Sequence, residues 1–580
     1  MPQPPIPRRE SLLTLAGCAA LSLLAIAWSW HHHALLNYGD AVAHLHIARR
    51  VFDSRIPRFS ELGSVWLPLP HILMIPFVQV YSWWAYGIAG IIPSALAWLA
   101  ACFGLYRLAR IWLPPAPSLI ALAFFALNPN LLYLQTTAMT EPLFLCEMIW
   151  LALFMVEFRI GLSTTSQTPD PRPPTQLPPS HTTKLFAIAA VLVAAIYTRY
   201  DGWIMALLAW SGVGILLLRR HLIWVPHPFR VFGGMGGNRK STYPYTGSCS
   251  KTFYLTTALV LAAPIFWFAY NATVFHDWLY FIRGPYSAAA IEARTSIPGY
   301  PPHPGWHNPW VALIFFVKCA ELDAAAHGCG TFLPISAIFG ALWSWLTARR
   351  RAISWALLLL WFPVPFYAYS VSWGSVPIFL PVWWPFSYYN LRYGLELLPA
   401  LALAIGFTAQ FILTPVREIK PSFRGRNWQS ATTAILLALC LINSIQMLRE
   451  HPAVYVEGTK NIDAHLPYEQ AIPPVLRSLL ATHPGAPLLT ITSFDPLIIA
   501  RTGIPLHQTI NESDLWIYDA ALAAPASHAA YILAFDGDDI DRAVRLRPEH
   551  LTVVQRFTAP GQPAATIYAS DSPLSSAPLN

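Results

Sequence analysis

Long apolar runs separated by short polar clusters dominate the chain from Ser11 to about Leu448. A bilayer core of about 30 Å requires roughly 20 apolar residues per helix. Lipid satisfies no backbone polar group, so such runs cross as helices with closed hydrogen bonding. The pattern predicts an all-α polytopic membrane bundle of about eleven spans, at residues 11–30, 86–108, 116–133, 141–158, 185–200, 203–218, 254–275, 328–347, 353–370, 393–415 and 430–447.

The hydrophobic pattern changes near Glu450. Apolar runs shorten to strand length in PLLTITSF, AAYILAF and LTVVQRF, and they alternate with amphipathic stretches such as EQAIPPVLRSLLATH. Short β-like runs mixed with helical ones are typical of a compact α/β or α+β fold. The sequence therefore predicts a membrane domain at residues 1–449 and a small soluble domain at residues 450–580.

Two polar segments interrupt the membrane domain. The first, residues 161–184, is too rich in proline for a helix and is predicted to be a cytoplasmic linker. The second, residues 219–253, is predicted to be a flexible cytoplasmic loop. Its glycines do not form a nucleotide phosphate cradle, because no strand precedes them and no GK[ST] follows.

Composition agrees with this pattern, since 55% of the 580 residues are hydrophobic and only 11% are charged. An ordinary soluble protein is excluded. The net charge of +8 does not indicate nucleic-acid binding, because the basic residues are spread in short clusters between apolar runs. They are better interpreted as topology signals.

The positive-inside rule gives an orientation to the predicted spans. Placing the clusters in the cytoplasm puts the N-terminus inside and the C-terminal domain outside a cell inner or plasma membrane. The clusters are Arg8 and Arg9, Arg107 and Arg110, Arg159 and Lys184, Arg219 and Arg220, Arg349 to Arg351, and Arg417 to Arg426.

The first outer segment carries polar groups close to the membrane surface. The run HHHALLNYGD ends at Asp40, and AHLHIARRVFD continues with helical spacing, which places Asp40, His44 and Arg50 near one another. The following SELGSVWLPLPHILMIPF is apolar but broken by proline. This pattern predicts short helices lying in the interface plane.

Four elements resemble those of a known superfamily. They are Asp40 in the first outer segment, TEPLF at Thr140–Phe144, TRYDGW at Thr198–Trp203, and NLRYGLELLPALAL at Asn390–Leu403. Together they resemble the GT-C glycosyltransferases, especially the branch of protein O-mannosyltransferases and lipid-A aminoarabinose transferase, which is family 39-like. The likeness covers most of the first 450 residues, and the order of the elements agrees with the predicted topology.

The resemblance implies an inverting transfer of a sugar from a polyprenyl-phosphate donor to a lipid, glycan or protein acceptor on the outer face. Asp40 is the implied general base. The leaving phosphate requires preorganised cations, and arginine offers bidentate contacts that lysine does not match. The predicted phosphate ligands are Arg392, Arg283, Arg199 and Arg294, and the predicted sugar or acceptor contacts are His44, Glu141, Asp201 and Tyr393.

Several of these residues also have structural interpretations. Asp40 could simply solvate a loop, Glu141 could cap a helix, and Asp201 lies close enough to Arg199 for an ion pair. The aromatic runs YSWWAY and PVWWPFSYY suit sugar stacking, but tryptophan and tyrosine also form interfacial belts in any membrane protein.

A metal ion or other cofactor is not expected. Asp40 and His44 are spaced i and i+4, which could hold a divalent cation. However, Ala41 follows Asp40 where much of the superfamily has a second acidic residue. That departure disfavours a metal site.

Two other classes of function suit a polytopic chain. A transporter or flippase of a lipid-linked or amphipathic substrate also needs polar groups in an apolar bundle, but it usually shows internal repeats, and none is evident between the halves. A membrane scaffold that presents the C-terminal domain to a partner is the third possibility. The expected partners are membrane lipids, donor and acceptor, with no nucleic acid.

Overall fold

The computed structural model describes residues 6–165, 179–219, 248–295, 299, 301–328, 332–347, 354–414 and 426–572. The centres of the predicted cytoplasmic linker and loop, and the basic clusters at 349–351 and 417–424, lie outside these residues. Within the described residues the chain is a multi-pass helical membrane protein with one small sheet near its C-terminus.

Helices form wherever the sequence has its long apolar runs. In the first half they are α1 (Arg8–His31), α2 (Gly39–Asp53), α3 (Leu69–Val78), α4 (Tyr81–Ala85), α5 (Ile88–Arg110), α6 (Pro115–Ala126), α7 (Pro129–Leu134), α8 (Glu141–Thr165), α9 (Pro179–Thr198), α10 (Asp201–Arg219) and α11 (Ser248–Phe275).

The remaining helices include several short ones. They are α12 (Tyr280–Arg283), α13 (Ala288–Thr295), α14 (Pro309–Ala324), α15 (Phe332–Thr347), α16 (Ser354–Leu360), α17 (Pro363–Trp373), α18 (Leu398–Leu413), α19 (Arg426–Arg449), α20 (Ala453–Thr482), α21 (Pro496–Thr502), α22 (Trp516–Ala523), α23 (Pro525–His528) and α24 (Asp539–Leu546). Short 3₁₀ helices cover Phe59–Leu62, Leu391–Leu397, Leu506–Gln508 and Glu512–Asp514.

Seven helical stretches among the described residues are long and apolar enough to cross a membrane. These are Arg8–His31, Ile88–Arg110, His181–Thr198, Asp201–Arg219, Lys251–Phe275, Leu391–Leu413 and Trp428–Thr482. The other predicted spans also overlap helices, but these are shorter, interrupted or more polar. The total of eleven therefore stays a prediction.

The chain divides into two compact units. One comprises Met1–Leu21, Ala97–Leu132 and Thr140–Pro452. The second comprises Ser22–Leu96, Tyr133–Met139 and Ala453–Asn580, so the first outer segment belongs with the C-terminal part of the chain. The predicted boundary at 449/450 lies within three residues of the start of this last segment, and as a domain boundary it stays a prediction.

Close helix packing organises the first unit. A Cβ atom at Gly340 of α15 would lie 2.0 Å from the carbonyl oxygen of Ala404 in α18, so only glycine allows this approach. A Cβ at Gly394 in the 3₁₀ helix Leu391–Leu397 would lie 2.7 Å from the amide nitrogen of Ala320 in α14. Close backbone contact therefore fixes that 3₁₀ helix against α14.

The second unit contains a five-stranded mixed sheet. Its strands are β1 (Leu488–Thr490), β2 (Thr509–Ile510), β3 (Tyr531–Phe535), β4 (Leu551–Phe557) and β5 (Ala565–Ser570), in the order β2-β1-β3-β5-β4. β1 is parallel to β2 and β3, and β5 is antiparallel to β3 and β4. The expected small α/β domain is confirmed, with β2 and β5 as strands that the pattern did not predict.

The first outer segment forms helices as its spacing predicted. α2, the 3₁₀ helix Phe59–Leu62, α3 and α4 follow one another, and Ile56 packs against the core formed by Leu489, Ile532 and their neighbours at the sheet. Whether these helices lie in the interface plane stays a prediction.

The approach at Gly340 can be tested by substituting alanine. We expect Gly340→Ala to lower the unfolding temperature of the detergent-purified chain, because α15 and α18 must separate at a cost of about 1–3 kcal/mol. Gly17→Ala is the matched control, since a Cβ at Gly17 meets nothing within 4 Å. Equal unfolding temperatures for the two variants would contradict the packing.

A pH-dependent stability is expected from Asp514 in the C-terminal domain. Burial raises the pKa of this carboxyl from 3.8 to about 6, although a hydrogen bond from the Asn511 amide opposes the shift. The folded chain then binds more protons than the unfolded chain between those values, so the free energy of unfolding falls as pH rises from 3.8 to about 6.

Asp514→Asn removes this titration. We expect the variant to be more stable than the wild type by about 1–2 kcal/mol at pH 7.5, and the difference to shrink toward zero near pH 4. Thermal unfolding of both purified proteins at the two pH values measures the difference. A gap that does not change with pH would refute the assignment.

Candidate active site

Three of the elements noted in the sequence meet at one polar cluster in the first unit. TEPLF places Glu141 at the first residue of α8. TRYDGW supplies Arg199 in the break between α9 and α10, and Asp201 at the first residue of α10. NLRYGLELL places Arg392 in the 3₁₀ helix before α18. Segments about 250 residues apart in the chain therefore contribute to one cluster.

Local sequence explains these positions. Glu141 and Asp201 stand in the first turns of their helices, where the helix dipole favours a negative charge. Asn390 adopts a left-handed conformation with φ of 57°, which asparagine tolerates better than most residues. Its amide donates to the Pro377 carbonyl oxygen at 2.8 Å and so fixes the turn that introduces Arg392.

A single carboxylate oxygen bridges the two arginines. Oε1 of Glu141 accepts from Nη1 of Arg199 at 3.1 Å and from Nε of Arg392 at 3.0 Å. Glu141 is 1% exposed and Arg392 is 7% exposed. Two guanidinium groups repel each other strongly where water is scarce, so the shared carboxylate holds the pair together.

Arg199 has further partners on its other side. It donates to Oδ2 of Asp201 at 3.0 Å, and its Nη2 lies 3.1 Å from both Oε1 of Glu396 and the hydroxyl of Tyr367. The Tyr367 hydroxyl in turn donates to Glu396 at 2.7 Å. The ion pair between Arg199 and Asp201 that the spacing suggested is confirmed.

Tyr393 completes the cluster. The guanidinium carbons of Arg199 and Arg392 each lie 5.1 Å from the centre of its ring. The same ring stacks on Tyr367, with centroids 5.2 Å apart. A ring face attracts a cation, so Tyr393 adds to the stabilisation of both arginines.

The charges of the cluster do not cancel. Glu141, Asp201 and Glu396 face the two guanidinium groups, and each of these carboxylates is at least nine-tenths buried. Oε2 of Glu141 and Oε2 of Glu396 accept no hydrogen bond from any described part of the chain. The two guanidinium groups are held in fixed positions from which their N–H donors can meet an anion, and the open carboxylate oxygens can accept hydrogen bonds from hydroxyl groups.

The other predicted phosphate ligands lie apart from this cluster or outside the described side chains. Arg283 ends α12, its side chain is 62% exposed, and Nη1 lies 3.7 Å from Oδ1 of Asp277. Arg294 is in α13, but its side chain lies outside the described residues. Their roles stay predictions.

Asp40 and His44 lie in the second unit. Asp40 stands in the first turn of α2 and is partly exposed. One turn later His44 is buried, with Nδ1 2.8 Å from Nε2 of His71 and its ring against Trp66. The residues that the structure describes contain no group of three or more His, Cys, Asp or Glu side chains arranged for a metal ion.

Sequence reasoning missed two members of the cluster. Glu396 lies within the quoted NLRYGLELL and follows an apolar pattern, and an acid in a membrane segment is costly enough to signal function. Tyr367 lies in the plain aromatic run YAYSVSW. Nothing in that run distinguishes it from an interfacial tyrosine, so only its contacts with Arg199 and Glu396 identify it.

The chain is similar to solved structures at low sequence identity. ArnT from Cupriavidus metallidurans bound to undecaprenyl phosphate is 14% identical, with a TM-score of 0.48 over 95% of this chain and 98% of that chain. The Archaeoglobus fulgidus oligosaccharyltransferase in complex with zinc and sulfate is 11% identical, with a TM-score of 0.39 over 96% of this chain and 73% of that one.

Neither a family model nor a curated protein matches the chain. At identities below 25% and TM-scores below 0.5 the two likenesses carry no argument on activity, so the interpretation rests on the residues of the site.

The charge network predicts a stability effect at Arg199. Removing the cation in Arg199→Gln leaves buried carboxylates without compensation, and we expect a loss of about 3–5 kcal/mol in the free energy of unfolding. Arg199→Gln with Asp201→Asn should recover part of that loss. Thermal unfolding in detergent measures both, with Arg283→Gln as the exposed control. A loss no larger than the control's would show that the network contributes little.

Proposed function

We propose that the protein is a membrane glycosyltransferase that moves a hexose or pentose from a polyprenyl-phosphate donor to a lipid, glycan or protein acceptor. The observation that carries the proposal is the convergence of TEPLF, TRYDGW and NLRYGLELL on one buried cluster with two bridged arginines. These three elements are the ones whose sequences resemble GT-C enzymes. A shared site is what a common catalytic role requires.

The leaving group determines the role of the arginines. When the bond between the sugar carbon and the phosphate oxygen breaks, negative charge grows on the polyprenyl phosphate. Guanidinium groups that are already in place stabilise that charge without reorganisation. In the proposal Arg199 and Arg392 present N–H donors to the phosphate, while Glu141 keeps their separation small. Undecaprenyl phosphate, which the ArnT structure contains, belongs to the proposed class of ligand.

The acceptor hydroxyl needs a base on the opposite side of the sugar. Asp40 takes its proton as the new bond to the sugar carbon forms and the phosphate leaves, which inverts the configuration. The proposed orientation, with the N-terminus in the cytoplasm and the C-terminal domain outside, places Asp40 on the outer face. His44 and Tyr393 are proposed to contact sugar or acceptor, as are the carboxylates of Glu141 and Asp201.

The same cluster also has a purely structural interpretation, in which its ion pairs only join helices; we call this an ion-pair lock. A lock and a phosphate site differ in one respect. A lock keeps every guanidinium donor engaged with protein, whereas a phosphate site exchanges some of those contacts for ligand oxygens. If a substitution at Arg392 lowers the transferase activity but not the free energy of unfolding, the result supports a phosphate site and not an ion-pair lock.

A transporter or flippase remains the alternative of a different class, because charged residues inside an apolar bundle also suit a substrate pathway. It makes no covalent product. Failure of every donor to label an acceptor would favour this alternative.

Transfer of radiolabelled sugar tests the proposal directly. A panel of polyprenyl-phosphate hexoses and pentoses is offered to membranes that contain wild type, Asp40→Asn, Arg392→Ala or the exposed control Arg542→Ala. We expect incorporation by the wild type and the control. Losing a catalytic base or a phosphate clamp typically costs 10²–10⁴-fold.

Protein amounts in each membrane preparation are matched by immunoblot. Wild-type incorporation by Asp40→Asn would remove Asp40 as the base. Wild-type incorporation by Arg392→Ala would leave the arginine pair with a structural role only.

A further inference from the structure

The helix that carries Asp40 does not cap its own N-terminus. Tyr38 is the N-cap residue of α2 and makes no side-chain capping hydrogen bond. The amide of Gly39 instead donates to Oδ1 of Asn461 at 2.8 Å, and Asn461 belongs to α20. A distant helix therefore satisfies one of the four open donors at the start of α2.

Tyr38 is tied to the same part of α20. Its hydroxyl donates to the Val454 carbonyl oxygen at 2.7 Å, and the residue is only 2% exposed. A Cβ atom at Gly458 would lie 3.0 Å from Cε2 of Tyr38 and 3.0 Å from the hydroxyl of Tyr133. Contacts this short would require Tyr38 or Tyr133 to shift by a few tenths of an ångström if residue 458 had a side chain, so the glycine lets Tyr38 lie against the backbone of α20.

Aromatic rings surround this contact. Tyr133 donates its hydroxyl to the Ala34 carbonyl oxygen at 3.0 Å, and its ring meets the edge of Tyr455 with centroids 5.2 Å apart. Tyr455 also meets Trp28, at 5.5 Å. The first turns of α20 are therefore embedded among residues from the end of α1 and the approach to α2.

The far end of α2 is also bound to the C-terminal part of the chain. Asp53, the last residue of the helix, accepts from Nδ1 of His507 at 2.7 Å and from the Leu506 amide at 3.3 Å. Arg49 holds the same carboxylate, with Nε 2.7 Å from Oδ2. Both ends of α2 are thus fixed by residues that follow position 452.

We propose that Tyr38 and Gly458 are positioning residues for Asp40, and that the first turns of α20 set the place of the base. The inference rests on the proposed function, because it assumes that Asp40 accepts the acceptor proton. Asp40 follows Tyr38 by two residues. A shift of Tyr38 by a few tenths of an ångström therefore passes directly to the carboxylate.

The expected size of the effect follows from the geometry of proton transfer. A general base works within hydrogen-bond reach of the proton, and a misplacement of about 1 Å can cost about 10²-fold in rate. Alanine at Gly458 demands a smaller shift, so we expect about a tenfold fall in kcat. Tyr38→Phe keeps the ring and loses one hydrogen bond, and we expect about a threefold fall in kcat.

This role differs from that of an acceptor-binding domain. If the C-terminal domain chiefly bound the acceptor, substitutions at its surface would raise the KM for the acceptor and leave kcat unchanged. A positioning role lowers kcat and leaves the KM for the donor unchanged.

The test compares full-length Tyr38→Phe and Gly458→Ala with the wild type, using the polyprenyl-phosphate sugar that gives the highest wild-type incorporation. Tyr455→Phe is the matched control. It alters a tyrosine of the same helix turn whose hydroxyl has no hydrogen bond to any described residue, and it keeps the ring contacts. Rates are expressed per folded molecule, from the monodisperse fraction in detergent.

Hydrogen exchange supplies a readout that does not depend on activity. The Val42 amide donates to the Tyr38 carbonyl oxygen at 3.1 Å in the first turn of α2. We expect faster exchange of residues 40–46 in Tyr38→Phe and Gly458→Ala, and wild-type exchange in Tyr455→Phe. The effect of Gly458→Ala on kcat should also shrink when Asp40→Glu is present, because residues that act through one another are not additive.

The outcomes separate the inference from the function on which it rests. Full activity of Asp40→Asn overturns the base assignment whatever the other variants do. Loss of activity in Asp40→Asn with unchanged kcat in Tyr38→Phe and Gly458→Ala overturns the positioning role. A raised KM for the acceptor with unchanged kcat in these two variants also overturns the positioning role. A smaller amount of folded protein that keeps the wild-type kcat per folded molecule overturns it as well.

Discussion

One buried oxygen atom holds the site together. Oε1 of Glu141 lies 3.1 Å from a nitrogen of Arg199 and 3.0 Å from a nitrogen of Arg392. Without it, two cations would repel each other in a region where little water screens them. The helix start at Glu141, the break at Arg199 and the 3₁₀ turn before α18 are all placed so that these three groups meet.

The need to compensate buried cations also explains why three carboxylates surround the two arginines. A guanidinium has five donors, and a buried cation is tolerated only when those donors are satisfied. Asp201, Glu396 and Tyr367 supply that satisfaction for Arg199. The arrangement keeps the arginines rigid in the resting protein. Rigidity before the reaction is what makes a charged group useful to a developing negative charge, because no energy is then spent on reorganisation.

A second constraint acts on the helix that carries the proposed base, Asp40. α2 carries Asp40 near its start, and the C-terminal part of the chain holds it at both ends, through Asn461 and Tyr38 at one end and Asp53 at the other. The C-terminal α/β domain is therefore structurally joined to the first outer segment. Changes to it are expected to act on the rate of the chemical step as well as on acceptor choice.

The sequence by itself determined the membrane class, the helical runs and the small α/β domain, because apolar length and periodicity are local properties that burial follows directly. It also predicted the ion pair between Arg199 and Asp201, because two residues that are only two positions apart can pair without help from the rest of the fold. It placed β1, β3 and β4 for the same local reason, and it missed β2 and β5, one of them only two residues long.

Only the tertiary structure decided which distant groups meet. Tyr367 and Glu396 lie in the cluster because separate helical segments bring them together. Gly458 lies against Tyr38, which is more than 400 residues earlier in the chain. Such contacts depend on how helices pack against one another, and close packing is a property of the three-dimensional arrangement that no single stretch of sequence contains.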